Sequence, residues 1–413
     1  MSTKPLVAAL LVISFASIQL NATDWTQFRG PGGLGISQET DLPTSWSETE
    51  NLTWKTELPG YGSSSPITLG GFVYVTCYSG YGMGQSGTID DLRLHVVAVD
   101  RKSGEITWDQ EIMPVQPESA RVREHGYAAP TPTTDGEHLY VFFGKTGMLK
   151  LDLKGEKIWQ SSVGTRTHGW GCGTSPVLYK NLVIVNASVE SGSLVALDKE
   201  SGKEVWRASG MSSSWNTPHL VTLDNGEQEL VVSVARRILS FDPATGKSLW
   251  KCDGIQDYVC PSVVSNDGIA YVIGGRTSQA IAVRAGGRGD VTETHVLWEA
   301  KAGANVVSPV IHDGHMYWVS DRNRIAYRLR LSDGEVLQSR RFPAQPYASA
   351  LYADGKVYVV TRNNGTYVLA ADSDFSELSH NQFDDRSTFN ASPIVSDGCL
   401  FMRSDRYLYC VSK

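Results

Sequence analysis

Ser392-Pro393-Ile394-Val395-Ser396-Asp397-Gly398-Cys399-Leu400-Phe401 sets out a hairpin: a small residue and a proline, an apolar run, an Asp-Gly turn and a second apolar run. Asp-Gly is a hairpin dipeptide because both positions tolerate positive φ. The same opening recurs at Ser65-Pro66, Ala129-Pro130, Ser175-Pro176, Thr217-Pro218, Cys260-Pro261, Ser308-Pro309 and Ser349-Ala350, at intervals of 41 to 64 residues. Eight copies at that period are the signature of four-stranded propeller blades.

Each repeat reads strand by strand. Turns such as Asp135-Gly136, Asn225-Gly226, Asp313-Gly314 and Asp354-Gly355 follow the first short strand, and a second strand comes next, as in Val73-Tyr74-Val75. The third strand runs into an aspartate, as at Ala98-Val99-Asp100 and Ala196-Leu197-Asp198. A turn such as Ser103-Gly104 or Thr245-Gly246 then leads to a fourth strand bearing Trp108, Trp159, Trp206, Trp250 or Trp298. The ends of the repeat array are incomplete in complementary ways. Leu52-Thr53-Trp54 resembles a fourth strand with no first three, and the last repeat stops after its third strand at Leu408-Tyr409-Cys410. The expectation is an all-β, eight-bladed propeller closed by an N-terminal strand that completes the C-terminal blade and so hides the free edges. Residues 23–413 would form this single domain.

The first 22 residues differ in kind. Lys4 precedes an almost wholly apolar stretch from Leu6 to Leu20, followed by Leu20-Asn21-Ala22, and this reads as a secretory signal too short to span a membrane. A periplasmic or secreted, monomeric, non-spanning protein is expected. Six cysteines in an exported chain leave two readings open: disulfides, with Cys399–Cys410 and Cys252–Cys260 as spatially plausible pairs, or buried thiols. The absence of a Cys-x-x-Cys pattern argues against a zinc or redox motif. A net charge of −7 and a pI near 5.8 argue against a nucleic-acid partner. No nucleophile elbow or phosphate loop is present, so no catalytic residue is assigned.

The run from Ala98-Val99-Asp100 to Trp108, echoed from Phe241-Asp242 to Trp250, resembles the repeat of propellers named after pyrroloquinoline quinone (PQQ). Trp25-Thr26-Gln27-Phe28-Arg29-Gly30-Pro31, His125-Gly126-Tyr127-Ala128 and Phe389-Asn390-Ala391-Ser392-Pro393 are similar to stretches of a bacterial exported subgroup. The resemblance implies either a quinone-dependent dehydrogenase or a non-enzymatic scaffold like the outer-membrane assembly propellers. In the dehydrogenases it implies a quinone held between a tryptophan and a ring of two adjacent cysteines, with calcium. This chain has no adjacent cysteine pair and lacks the long inter-blade insertions of those enzymes. The expected function is therefore binding or scaffolding towards an envelope protein or an anionic polysaccharide, without cofactor; PQQ with calcium in an alcohol or sugar dehydrogenase is the alternative.

Loops between strands two and three, and between one blade and the next, emerge on one face of a propeller. The two longest insertions, Tyr78 to Leu92 and Gln110 to Tyr127, lie in such loops and would be neighbours. Residues ahead of the innermost strands, His125, Tyr127, His168, Trp170, Trp215 and Tyr258, with Tyr347 and Phe389, would form an aromatic collar for a planar or sugar-like ligand, or else simply pack blade on blade. Arginines of the strand-two-to-three turns, Arg236, Arg237, Arg276, Arg322, Arg324, Arg362, Arg403 and Arg406, with Lys145, would add a basic ring suited to carboxylate or sulfate.

Overall fold

The computed structural model describes residues 24–123 and 125–413. The stretch read as a signal lies outside the described residues. Eight antiparallel sheets form the ring, each with at least four strands. Blade 1 comprises Ile67–Leu69, Phe72–Ser79, Arg93–Asp100 and Ile106–Ile112, and blade 7 Leu351–Ala353, Lys356–Val360, Thr366–Ala370 and Glu377–Asn381. Blade 8 takes its inner three strands from the C-terminus and its outer strand, Leu52–Glu57, from the N-terminus, with Trp54 opposite Cys410. The expected closure is thus present.

The Asp-x-x-Ser/Thr-Gly-to-Trp pattern is a docking device between blades. The aspartate caps its own turn: Asp198 Oδ1 accepts from Ser201 N at 2.8 Å and from its hydroxyl at 2.7 Å. The glycine at φ +67 to +76 leaves room for the preceding blade's indole. A Cβ on Gly104, Gly202, Gly246 or Gly334 would sit 2.4–2.7 Å from Trp54, Trp159, Trp206 or Trp298. Each indole Nε1–H then donates to a carbonyl of the same turn, as Trp159 does to Lys199 O at 3.0 Å and Trp298 to Leu331 O at 2.7 Å. Blade 4 departs from this scheme. The turn that should receive Trp250 is replaced by an insertion whose Gly289–Asp290 strand pairs in parallel with the outer strand Ser248–Asp253. Trp250 donates instead to the buried Glu229 of its own blade at 2.6 Å, and Arg288 of the insertion pairs with that carboxylate at 2.9 Å.

A second ring of contacts runs round the axis. Ser65 N donates to Thr131 Oγ1, Thr131 N to Ser175 Oγ, and so on through Thr217, Ser262, Ser308, Ser349 and Ser392, whose N–H returns to Ser65 Oγ, all at 2.9–3.2 Å. The small residue that opens each blade is therefore a hydroxyl residue, because its oxygen satisfies the next blade's otherwise unpaired N–H. This corrects two starts. In blades 2 and 5 the equivalent residues are Thr131 and Ser262, two positions after Ala129 and Cys260.

The six cysteines are free thiols; neither Cys399–Cys410 nor Cys252–Cys260 is bonded. Among the described residues no helix is long and apolar enough to cross a membrane.

Candidate binding cavity at the loop-rich face

Residues 24–42 run across the face opposite the long loops and plug the channel, and the chain then passes along blade 7 towards the loop-rich side. Trp25 pairs with Thr68 of blade 1, Thr134 N of blade 2 donates to Thr26 O and Ile36 bridges to Tyr352 of blade 7, while Trp46 N, further on, donates to Asn381 Oδ1 at the loop-side end of blade 7's outer strand. Arg29, 2% exposed, points into the ring and donates to the carbonyls of Gly33, Leu34, Ser308 and Pro309. Burial lowers its pKa to about 9, so it stays protonated at neutral pH. Phe28 faces the channel above it. The channel is thereby a blind cup.

The cup has a volume of about 360 Å³. One wall is aromatic: Trp170 lies 4.7 Å from Tyr258 and 5.0 Å from Trp215, centroid to centroid. Trp215 is fixed by its Nε1–H to Gly171 O at 2.9 Å, and Tyr258 by its hydroxyl to Asn305 Oδ1 at 2.6 Å. The Arg276 guanidinium stacks on Tyr258 at 4.8 Å, and Arg362 stacks on Tyr347 at 5.1 Å. Both arginines come from the strand-two-to-three turn of the blade whose preceding loop supplies the tyrosine. Blade 6 lies between them, with Arg322 exposed on the homologous turn and Asp321 buried beside it, lining the cup. Asp321 Oδ1 accepts from Asn305 N at 2.7 Å and Val306 N at 3.0 Å, yet burial outweighs these bonds and raises its pKa.

The insertion ahead of blade 2 forms part of the roof. Arg123 and His125 line the cup, and His125 Nδ1 is 3.2 Å from the Tyr347 hydroxyl of blade 7, across the mouth. The two long insertions pack on each other as expected: the Tyr81 hydroxyl donates to Ala120 O and Gln116 Nε2 to Ile89 O.

Of the expected collar, His125, Trp170, Trp215, Tyr258 and Tyr347 line the cup, as does Arg362. Tyr127 and His168 line instead a small neighbouring recess with Glu118, Cys172 and Glu190; Tyr127 packs on Tyr78 and His168 backs Trp215 from 5.0 Å. Phe389 is core, stacked on Phe383 and tilted against Tyr409. Of the expected basic ring, Arg362 lines the cup and Arg276 reaches it over Tyr258, Arg322 is exposed on its turn, and Lys145 donates to Pro117 O at 2.6 Å. Arg403 is fully buried, bonded to Ser64 and Cys77, and Arg406 pairs with Glu57 at 3.0 Å. Phe28, Arg29, Asn305, Asp321 and the hydroxyl ring were not among the expected site residues. A carboxylate directly before Arg322 in a loop was a signal for Asp321; Trp25–Pro31 was visible only as a motif.

No curated protein sequence matches the chain. Among solved structures, BamB from Moraxella catarrhalis is similar at 14% identity and TM-score 0.63, over 88% of this chain and 97% of that one. Quinohemoprotein alcohol dehydrogenase from Comamonas testosteroni is similar at 11% identity and TM-score 0.65, over 96% and 82%. A europium-containing methanol dehydrogenase gives 11% and 0.57, over 95% and 98%. These likenesses establish a shared fold. Residues 34–170 and 150–293 match the family model described as outer membrane protein assembly factor BamB, which spans more than half of the sequence, and the chain belongs to this family of PQQ-like β-propellers.

Proposed function

We propose that the protein is an exported, non-catalytic binding propeller that presents its loop-rich face to a partner in the cell envelope, and that the cup takes an anionic saccharide. The observation that carries this reading is the pairing of an aromatic wall, Trp170–Trp215–Tyr258, with stacked arginines at the same mouth. Aromatic faces take sugar rings, and the Arg276 guanidinium, over Tyr258 and 3.9 Å from Asp257 at the loop-rich mouth, adds positive charge beside them. A concave site of some 360 Å³ suits part of a small or end-on ligand better than a flat protein epitope. The envelope location rests on the apolar N-terminal sequence and on the assembly-factor family.

A quinone oxidoreductase is the second reading, favoured by Trp170 and the buried Asp321 lining the same cup and by the dehydrogenase folds. The donor set fits it poorly. Among the described residues no three His, Cys, Asp or Glu side chains gather to hold a metal, and no cysteines are adjacent in sequence.

Calorimetry of the purified protein with trigalacturonate, and separately with PQQ plus calcium, separates the two. Micromolar binding of the oligosaccharide, weakened about tenfold by Trp170→Ala or Arg276→Ala, is expected from the loss of one stacking or charged contact. Saturable binding of PQQ alone would overturn it.

A further inference from the structure

Arg29 is buried beneath the cup, and among the described residues no carboxylate pairs with it. Its four partners are carbonyls, which satisfy its N–H groups but leave its charge uncompensated. His219, close to it, supplies no counter-charge: burial, with Arg29 nearby, pushes its pKa down to about 4, so it is neutral. One positive charge therefore sits under the floor, one peptide group from Ser308, whose side chain lines the cup.

The floor itself is a ring of donors. Each of the eight hydroxyl oxygens already accepts the neighbouring blade's N–H, and among the described residues none of the hydroxyls donates to an acceptor. A hydroxyl with a lone pair committed in this way offers its proton. Seven of the eight line the cup: Ser65, Thr131, Ser175, Ser262, Ser308, Ser349 and Ser392. The only carboxylate facing the cup among the described residues, Asp321, has one oxygen occupied by two backbone N–H groups.

From the unneutralised Arg29 and the inward hydroxyls we infer that the floor of the cup is an anion site, which takes the carboxylate or sulfate end of a ligand entering from the loop-rich mouth. The inference rests on the saccharide reading for the rest of the ligand but not for the anion itself. It also gives a role to Trp25–Pro31, whose fold carries Arg29 to the axis.

Crystals of the full chain soaked in sodium bromide should carry an anomalous peak within hydrogen-bonding distance of the hydroxyl ring. In solution at constant ionic strength, sodium glucuronate should bind about tenfold or more tighter than neutral glucose, the size of a charge-assisted contact. Sodium sulfate binding as well as glucuronate would mean that the site also takes free inorganic anions, and either anion counts for it. Arg29→Met should lower glucuronate affinity about tenfold; if that variant does not fold, the bromide map of the unaltered protein decides. Bromide found only at Arg276 and Arg362, with glucuronate binding indifferent to Arg29→Met, would overturn the floor site and leave the saccharide reading intact. Bromide on the axis with no saccharide bound would do the reverse.

Discussion

Glu190 shows how one buried side chain sets a pH response. It is 3% exposed in the recess beside the cup, and among the described residues one carboxylate oxygen has no hydrogen-bond partner. Burial, reinforced by nearby Glu118, raises its pKa to about 8. Its unfolded value is near 4.5. The unfolded chain therefore loses this proton first, and the group's contribution to stability is complete below pH 4.5 and lost as pH rises through 8. Glu190→Gln keeps the neutral shape and removes the titration. It should stabilise the protein on the order of 3 kcal/mol at pH 8 and hardly at all at pH 4.5. Urea unfolding at the two pH values checks this; an equal effect at both would assign the gain to packing. His219 acts with the opposite slope, since its folded pKa lies below its unfolded one and stability falls as pH drops from 6.5 towards 4.

Between elements, the glycine under each tryptophan decides whether one blade seats on the next. Gly246→Ala would set a Cβ 2.4 Å from the Trp206 ring at φ +69 and should cost about 3 kcal/mol, combining left-handed strain with overpacking. Gly226→Ala has a similar φ of +81 but open space, and should cost about 1 kcal/mol. Equal losses in denaturant unfolding would show that backbone strain, not docking, makes the glycine necessary. This level of the structure was largely legible in the sequence, because the Asp, Gly and Trp positions are each fixed by local turn geometry. The blade starts at Ala129 and Cys260 were misplaced because Pro130 and Pro261 mimic the usual small-residue-plus-proline opening, and the hydroxyl that actually joins the ring comes two residues later. Arg403 was misread for another reason: it is the last residue of the strand Cys399–Arg403, and the pleat turns it inwards to Ser64 and Cys77. Turn counting cannot see that parity.

At the scale of the whole molecule, the sequence pattern fixes a ring but not what fills its middle. The collar was legible where an aromatic directly precedes an inner strand, as at Trp215 and Tyr347. The plug was not, because residues 24–50 have no period, and several of their contacts are with blades hundreds of residues away, as Arg29 with Ser308. The same segment both floors the cup and leads into the strand that closes the ring, so closure and site integrity are coupled. Trp54 is the test of that coupling. It is 8% exposed, packs at a tilt 5.9 Å from Phe401, donates to Arg101 O at 3.0 Å and covers Gly104, joining blade 8 to blade 1. Trp54→Ala should cost about 4 kcal/mol. Since each blade is held only by its neighbours, the loss should fall first on the seam. Hydrogen exchange should then show faster opening of Leu52–Glu57, Tyr407–Val411 and Arg93–Asp100, while Leu182–Ala187 and Gln228–Val234, on the far side of the ring, keep their protection. Uniform loss of protection around all eight blades would mean instead that the ring opens as one cooperative unit and that its seam is no weaker than any other joint.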